Sequence, residues 1–335
     1  MVRTGIVGAS GYAGAELLRL CLGHPGLDLA WVTGDTSAGT PVRSLYPNLA
    51  AVVGELTYEP WDPTLADGLD LVFLALPHGA SSELMADLIK RAAVVVDLAA
   101  DFRLRDPELY PRWYGHDHVA PELLDRFAYG LPELFRDDLG GARAVAVPGC
   151  YPTAAALALA PFVRAGAVEP SGIVVDAASG VSGAGRGKYP FCGTDEDFRA
   201  YGLLDHRHTP EIEQATGASV LFTPHLAPMN RGILATCYAR PTGATSTGEV
   251  LDLLRRAYDG EPFVVVSADP PSTAATAGSN CAHLTARFDE RTGWVVVLAA
   301  LDNLVKGAAG QAVQCANLAL GEDEATGLPL VGMLP

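Results

Sequence analysis

The chain has no apolar run as long as a membrane span. Its first residues lack the basic stretch, hydrophobic segment and small-residue cleavage site of a secretory leader. A soluble, cytoplasmic protein is therefore expected. Cysteines at positions 21, 150, 192, 237, 281 and 315 show no short paired spacing, which argues against a disulfide framework and a zinc site, so no metal is expected. Positive charge is scarce: 23 Lys and Arg stand against 39 Asp and Glu, a formal charge of −16. That balance disfavours nucleic acid and anionic membrane surfaces as partners, but leaves room for a small anion held by local arginines. No internal repeat or low-complexity tract is present. At 335 residues with 49% hydrophobic content the chain exceeds one core, so two domains are expected.

What is present centres on Pro148-Gly149-Cys150-Tyr151-Pro152, between an apolar run ending in Val147 and an Ala/Leu-rich helical stretch from Pro152 to Ala160. Proline suits a first helical turn, which puts Cys150 at or just before a helix N-terminus. The main-chain N–H groups and dipole there favour thiolate over thiol, as a nucleophile requires. The bland alternative is a buried thiol acting as a small apolar residue.

Near the N-terminus, a short apolar strand leads into Gly8-Ala-Ser10-Gly11-Tyr12-Ala-Gly14 and then a helical pattern from Ala15 to Leu22. Strand, glycine turn and helix in that order are the context of a dinucleotide site, where backbone approaches a pyrophosphate at a helix N-terminus. The spacing G-x-x-G-x-x-G departs from the usual G-x-G-x-x-G, and a plain tight turn is the competing reading. A second strand, Leu27 to Thr33, completes a βαβ unit of the expected length. After it, Thr36 and Ser37 could bond a ribose 2′-phosphate, whereas Asp35 would repel one and could accept from a 2′-hydroxyl.

Apolar runs at Asp70–Leu76 and Ala93–Leu98 fit strands buried on both faces of a parallel sheet. Ligands bind at the carboxyl ends of such strands, so Pro77, His78 and Arg103 fall beside cofactor or substrate. For Arg103 the rival is neutralisation by Asp101 or Asp106. Residues 104–142 show little periodicity and read as an excursion before a last strand, Ala144 to Val147.

The second half opens with a strand, Ile173 to Ala178, followed by Ser-Gly-Val-Ser182-Gly183-Ala-Gly-Arg186-Gly-Lys188. Successive small residues can turn main-chain N–H groups toward an anion, with Arg186 and Lys188 adding charge. His206 and His208 precede a helix whose expected N-cap is Thr209, with Pro210 at its first position. That segment is the best source of a base for Cys150. Strands at 220–223, 231–240, 263–267, 283–289 and 294–301 suggest a mixed or antiparallel sheet with one open face. Arg231 opens one of them and could serve a substrate carboxylate, or be a surface charge. A final helix runs from the segment 302–311 to about Leu320.

Together these stretches resemble the N-acetyl-γ-glutamyl-phosphate reductases, relatives in architecture of aspartate-semialdehyde and glyceraldehyde-phosphate dehydrogenases. The matching stretches are GASGYAG (8–14), ALPHG (75–79), DFRL (101–104), VPGCYPTAAALAL (147–159), SGVSGAGR (179–186), HRHTPEIEQ (206–214), TPHLAPMNRGIL (223–234) and DNLVKGAAGQAVQ (302–314). They span nearly the whole chain in order. The resemblance implies an α/β fold: a Rossmann-type NADP-binding domain (1–148), an α+β catalytic domain with a mixed sheet (149–303), and a C-terminal helix (304–335) returning to the first domain. It also implies NADPH-dependent reductive dephosphorylation of N-acetyl-L-glutamyl 5-phosphate to the 5-semialdehyde, in arginine biosynthesis, with Asn303 near the nicotinamide. Many relatives carry Ser-Arg where this chain has Gly34–Ser37. A related branch acts on a carrier-bound aminoadipyl phosphate, and Tyr151-Pro152-Thr153 favours the free substrate.

The expected chemistry is a Cys150 thioester, with phosphate leaving through Ser182, Gly183 and Arg186 aided by Arg103. His208 is the expected acid/base and His206 the substrate contact, with the reverse order open. Cofactor contacts are expected from Gly8, Ser10, Gly11, Tyr12, Gly14, Thr36, Ser37, Pro77, His78 and Asn303. A homo-oligomer, dimer or tetramer, is expected. The rivals are a thiol hydrolase, which leaves the Gly8–Gly14 turn idle, and a dinucleotide sensor, which leaves Cys150 idle.

Overall fold

The computed structural model describes residues 1–187 and 193–334. The chain divides into two compact units, one of residues 1–148 and 308–328, the other of 149–307 and 329–335.

In the first unit, strands β1 (Val2–Val7), β2 (Leu27–Val32), β3 (Leu71–Leu74), β4 (Val94–Asp97), β5 (Ala128–Tyr129) and β6 (Ala144–Ala146) form one sheet in the order 2-1-3-4-6-5. Every pairing is parallel. All residues of β3, β4 and β6 are buried, the signature of strands covered on both faces. The helices are α1 (Tyr12–Gly23), α2 (Val42–Leu45), α3 (Ala80–Arg91), α4 (Tyr110–Tyr114) and α5 (Pro132–Leu139). Val72, Leu74, Met85, Leu88, Val95 and Phe102 belong to one apolar core. The strand order reverses beside β1, so the crevice for a ligand lies at the carboxyl end of β1, where Val7 meets Gly8.

The excursion at 104–142 is built of 3₁₀ turns, α4, α5 and the two-residue β5, which pairs with β6 at the sheet edge. Elements this short leave no hydrophobic period to read.

The second unit begins with α6 (Cys150–Arg164). Strands β7 (Ile173–Gly180), β8 (Arg199–Ala200), β9 (Val220–Ala227), β10 (Ile233–Ala239), β11 (Val264–Val266), β12 (Ala282–Asp289) and β13 (Trp294–Leu301) form a mixed sheet in the order 11-12-13-10-7-9-8. Pairs β7–β9 and β11–β12 are parallel and the rest antiparallel. Burial alternates along β7 and β10, with Ile173, Val175, Ala177, Ile233, Ala235 and Cys237 facing inward. Helix α6 packs on β10 and β13, flanked by α7 (Thr209–Thr216) and α8 (Thr247–Ala257), and Tyr258 donates to the carbonyl of Leu157. A short helix α9 (Thr273–Thr276) follows β11.

After β13 the chain makes a π-turn, Val305–Ala309, and enters α10 (Gly310–Leu320). This helix belongs to the first unit, where it packs on α1, α5 and β4, and Gln311 Nε2 donates to the carbonyl of Gly130 at 2.7 Å. From Pro329 the chain rejoins the second unit: the carbonyl of Pro329 accepts from Asn280 N–H and Met333 N–H donates to Ala277. Among the described residues no helix is long and apolar enough to cross a membrane.

Candidate active site

The glycine turn after β1 has the form a dinucleotide needs. Gly8 has φ +83°, and a Cβ there would lie 2.6 Å from the carbonyl oxygen of Ala75, so only glycine fits. A Cβ on Gly14 would run into the backbone of Gly8 and Ala9, which is how α1 comes to sit so close to the turn. Gly11 is different. It is the N-cap of α1, has no side-chain cap, and a Cβ on it would meet nothing within 4 Å. Open space over an uncapped helix N-terminus is a place that can hold a pyrophosphate. Tyr12 opens the helix partly exposed, and the carbonyl of half-buried Ser10 accepts from Tyr46.

Thr33 at the end of β2 accepts the N–H of Gly8 on its hydroxyl. Beyond it Thr36 and Asp35 are exposed, whereas Ser37 is buried. Pro77 and His78 are exposed at the end of β3, and His78 Nδ1 accepts from Ala100 N–H at 3.1 Å. Arg103 is buried. Its Nε donates to the carbonyl of Val147 and its Nη2 to that of Leu98, each at 2.7 Å, so the guanidinium ties together the ends of β6 and β4.

In the second unit Cys150 is the first residue of α6, half-buried, after the N-cap Gly149 at φ −66°, ψ 155°. The imidazole of His208 lies on Gly149: a Cβ built there would be 2.5 Å from its Nε2 and 2.8 Å from its Cε1. Glu211, fully buried, accepts the N–H of Gly149 at 2.8 Å. The carbonyl of Gly149 accepts from both the N–H and the hydroxyl of Thr153.

His206 and His208 are brought together with ring centroids 4.8 Å apart, but their surroundings differ. His208 is buried and is the N-cap of α7; Thr209, expected to cap, is instead the first helical residue. No side-chain cap bond forms, because the chain already turns helical at His208, φ −78°, ψ −12°. His206 sits edge-on to Tyr151, Tyr201 and Phe222, and its Nδ1 accepts the N–H of His208. Burial, reinforced by the Arg207 charge, pushes its pKa down to about 4, so its ring is neutral near pH 7 with the proton on Nε2. The Tyr151 hydroxyl donates to the carbonyl of His225 and accepts from Tyr201, and burial holds this phenol protonated far above the ordinary range.

The glycine loop folds against the start of β10. Val181 and Ser182 donate to the carbonyls of Met229 and Asn230, and Ser182 Oγ accepts from Asn303 Nδ2 at 3.0 Å. Asn303 Oδ1 accepts the N–H of Gly232, so this amide ties the loop to the start of β10. Gly183 and Arg186 are exposed; Lys188 lies outside the described residues. Arg231 is 3.4 Å from Asp302, whose buried carboxylate also accepts the N–H groups of Gly278, Leu304 and Val305. Among the described residues no group of three His, Cys, Asp or Glu could hold a metal ion.

Glu211 and Asp302 are absent from the sequence-level candidates. Glu211 reads there only as first-turn acid of a helix, the commonest place for one. Its position three residues after His208 was the available signal, since such residues share a helix face.

Residues 3–142 match the family model described as semialdehyde dehydrogenase, NAD binding domain, and residues 150–303 the one described as semialdehyde dehydrogenase, dimerisation domain. The chain is 46% identical to the N-acetyl-gamma-glutamyl-phosphate reductase of Magnetococcus marinus, covering 100% of this chain and 99% of that one. It is 48% identical to the same-named protein of Desulforudis audaxviator, with all of both chains covered. Among solved structures, aspartate semialdehyde dehydrogenase II of Vibrio cholerae aligns with a TM-score of 0.70 at 18% identity, over 96% of this chain and 98% of that one. The NADP-bound aspartate semialdehyde dehydrogenase of Candida albicans aligns at 0.69 and 15%, over 95% and 98%. At such identities these two structures speak for the fold alone.

Proposed function

The chain belongs to the N-acetyl-gamma-glutamyl-phosphate reductase family, and from that premise we propose how its own residues carry the reaction. It is an NADP-dependent oxidoreductase that converts N-acetyl-L-glutamyl 5-phosphate to N-acetyl-L-glutamate 5-semialdehyde and phosphate, a step of arginine biosynthesis.

Cys150 is the nucleophile. Its thiolate attacks the acyl carbon, the carbon–oxygen bond to phosphorus breaks, and phosphate leaves, so one hard reduction becomes two easier steps. NADPH, when bound on the Gly8–Gly14 cradle, supplies the hydride that reduces the acyl group to the aldehyde oxidation level. Oxyanions formed at the acyl carbon need donors, and the main-chain N–H of Cys150 at the start of α6 is one. His208 is the acid/base: it gives a proton to the oxyanion and takes it back as the carbon–sulfur bond breaks. The observation that carries this reading is the His208 imidazole packed on Gly149, the residue before the nucleophile.

Neutral His206, with Nδ1 already engaged, is left with an Nε2–H donor suited to a neutral or anionic substrate oxygen. Arg231, held by Asp302, is assigned to the substrate carboxylate. Ser182, Gly183 and Arg186 are assigned to the departing phosphate. Arg103, with two donors spent on strand-end carbonyls, is assigned to holding those ends instead. Thr36, rather than buried Ser37, is the side chain left for the 2′-phosphate, and Asn303 braces the loop beside Ser182.

The match to a dimerisation domain supports a homo-oligomer; we place it as a dimer or tetramer in the cytoplasm. The reverse assay tests the reading. N-acetylglutamate semialdehyde should be oxidised with NADP in strict dependence on phosphate. Oxidation that ignores phosphate, or acid release from the acyl phosphate without NADPH consumption, contradicts it.

A further inference from the structure

We propose that Glu211 is a positioning residue for the nucleophile: its hydrogen bond to Gly149 sets the peptide that carries Cys150 into α6, and so sets the sulfur's place beside His208. The inference rests on the roles given above to Cys150 and His208.

Helix α6 lacks the usual means of fixing its own start. An N-cap side chain would accept an N–H from the first turn, but the N-cap is glycine, and Pro152 has no N–H to give. Any side chain at that cap would drive the His208 ring from its place, since a Cβ there would lie 2.5 Å from its Nε2. The fixing is done from outside. Glu211 Oε1 takes the N–H of Gly149 at 2.8 Å, and Thr153 takes its carbonyl with N–H and hydroxyl at 2.9 and 3.0 Å. Both faces of the Gly149 residue are thereby held.

Glu211 is fully buried, and a buried carboxylate is tolerated where it accepts strong main-chain bonds. His208 and Glu211 stand three residues apart at the start of α7 and meet Gly149 as imidazole and carboxylate. One helical turn thus carries the acid/base and also the group that orients the nucleophile's backbone. The same bond takes the Gly149 N–H out of the donors at the start of α6, leaving oxyanion binding to the N–H groups that follow.

The experiment compares E211Q with E211L in the full chain. Both are neutral, so their difference reads the hydrogen bonding of this side chain, the bond to Gly149 included, rather than its charge, and the alkylation rate of Cys150 reads what that bonding does to the nucleophile. E211Q, whose amide oxygen can accept the same N–H, should keep kcat within about threefold of wild type. E211L should lose about 100-fold in kcat with KM for the acyl phosphate and NADPH within about threefold. Iodoacetamide alkylation of Cys150, followed on its own peptide, should run about tenfold slower in E211L than in E211Q. E211L with wild-type kcat, E211Q as impaired as E211L, a change confined to KM, or equal alkylation rates overturns the proposal. Should E211L not fold, E211M, also neutral, without an oxygen acceptor and close to Gln in length, carries the same comparison. A wild-type protein that does not reduce the acyl phosphate overturns the assigned reaction, while alkylation, which needs no substrate, still judges Glu211.

Discussion

Gly307 lies directly against Cys150: a Cβ added to Gly307 would be 2.7 Å from the Cβ and 3.2 Å from the Cα of the cysteine. Its N–H donates to the carbonyl of Asp302, so the π-turn after β13 is pinned at the point where it touches the nucleophile. G307A should therefore push Cys150 out of place rather than merely loosen the fold. Overpacking of this kind costs about 1–3 kcal/mol, and an ångström of displacement at a nucleophile costs about 100-fold in kcat. Thermal melting and steady-state kinetics read the two effects; a melting loss with unchanged kcat would show that the contact is structural only.

The first and second glycines of the cofactor turn should answer substitution in opposite ways. G8A strains a backbone at φ +83° and meets the Ala75 carbonyl, so it should destabilise the unit. G11A meets no atom, so stability should stay within about 0.5 kcal/mol. The methyl would fill the space assigned to the pyrophosphate, and the NADPH Kd should rise about tenfold or more. Calorimetric titration of folded G11A measures it; an unchanged Kd would move the cofactor away from this turn.

The depressed pKa of His206 makes the fold sensitive to acid. In the folded chain the ring titrates near about 4, in the unfolded chain near 6.5, so between those values the unfolded state binds the extra proton. Its contribution to stability is full above pH 6.5 and is lost as pH falls toward 4. H206Q, whose carbonyl can still accept the His208 N–H, removes that proton uptake. Urea unfolding at pH 7.5, 6 and 4.5 should show a smaller drop for H206Q than for wild type; equal slopes would contradict the burial of an uncharged imidazole.

Legibility in the sequence followed the range of the interactions. The Gly8–Gly14 turn, the apolar runs of β3 and β4 and the start of α6 are encoded within a few residues each, and all are readable as spacing. Cys150 and His208 were readable as types in a context, but the reason for Gly149 was not, because the ring that needs its bare Cα lies 59 positions on. The bond from Glu211 to Gly149 spans 62 positions, and Asp302 gathers the N–H of Gly278 across 24. Such pairs leave no local pattern. Arg103 shows the same limit from the other side: a cation after a buried strand invites an anion, and no local pattern announces that the carbonyls of Val147 and Leu98 take two of its donors.

The central claim is that the Cys150 sulfur carries the acyl group between loss of phosphate and reduction. Its most direct measurement is the mass of the Cys150 peptide after the enzyme is mixed with N-acetylglutamyl phosphate without NADPH and quenched in acid. The account predicts an N-acetylglutamyl adduct on that peptide, absent in C150S and discharged when NADPH is added before the quench. An unmodified Cys150 in an enzyme that goes on to oxidise NADPH with the same substrate would contradict it.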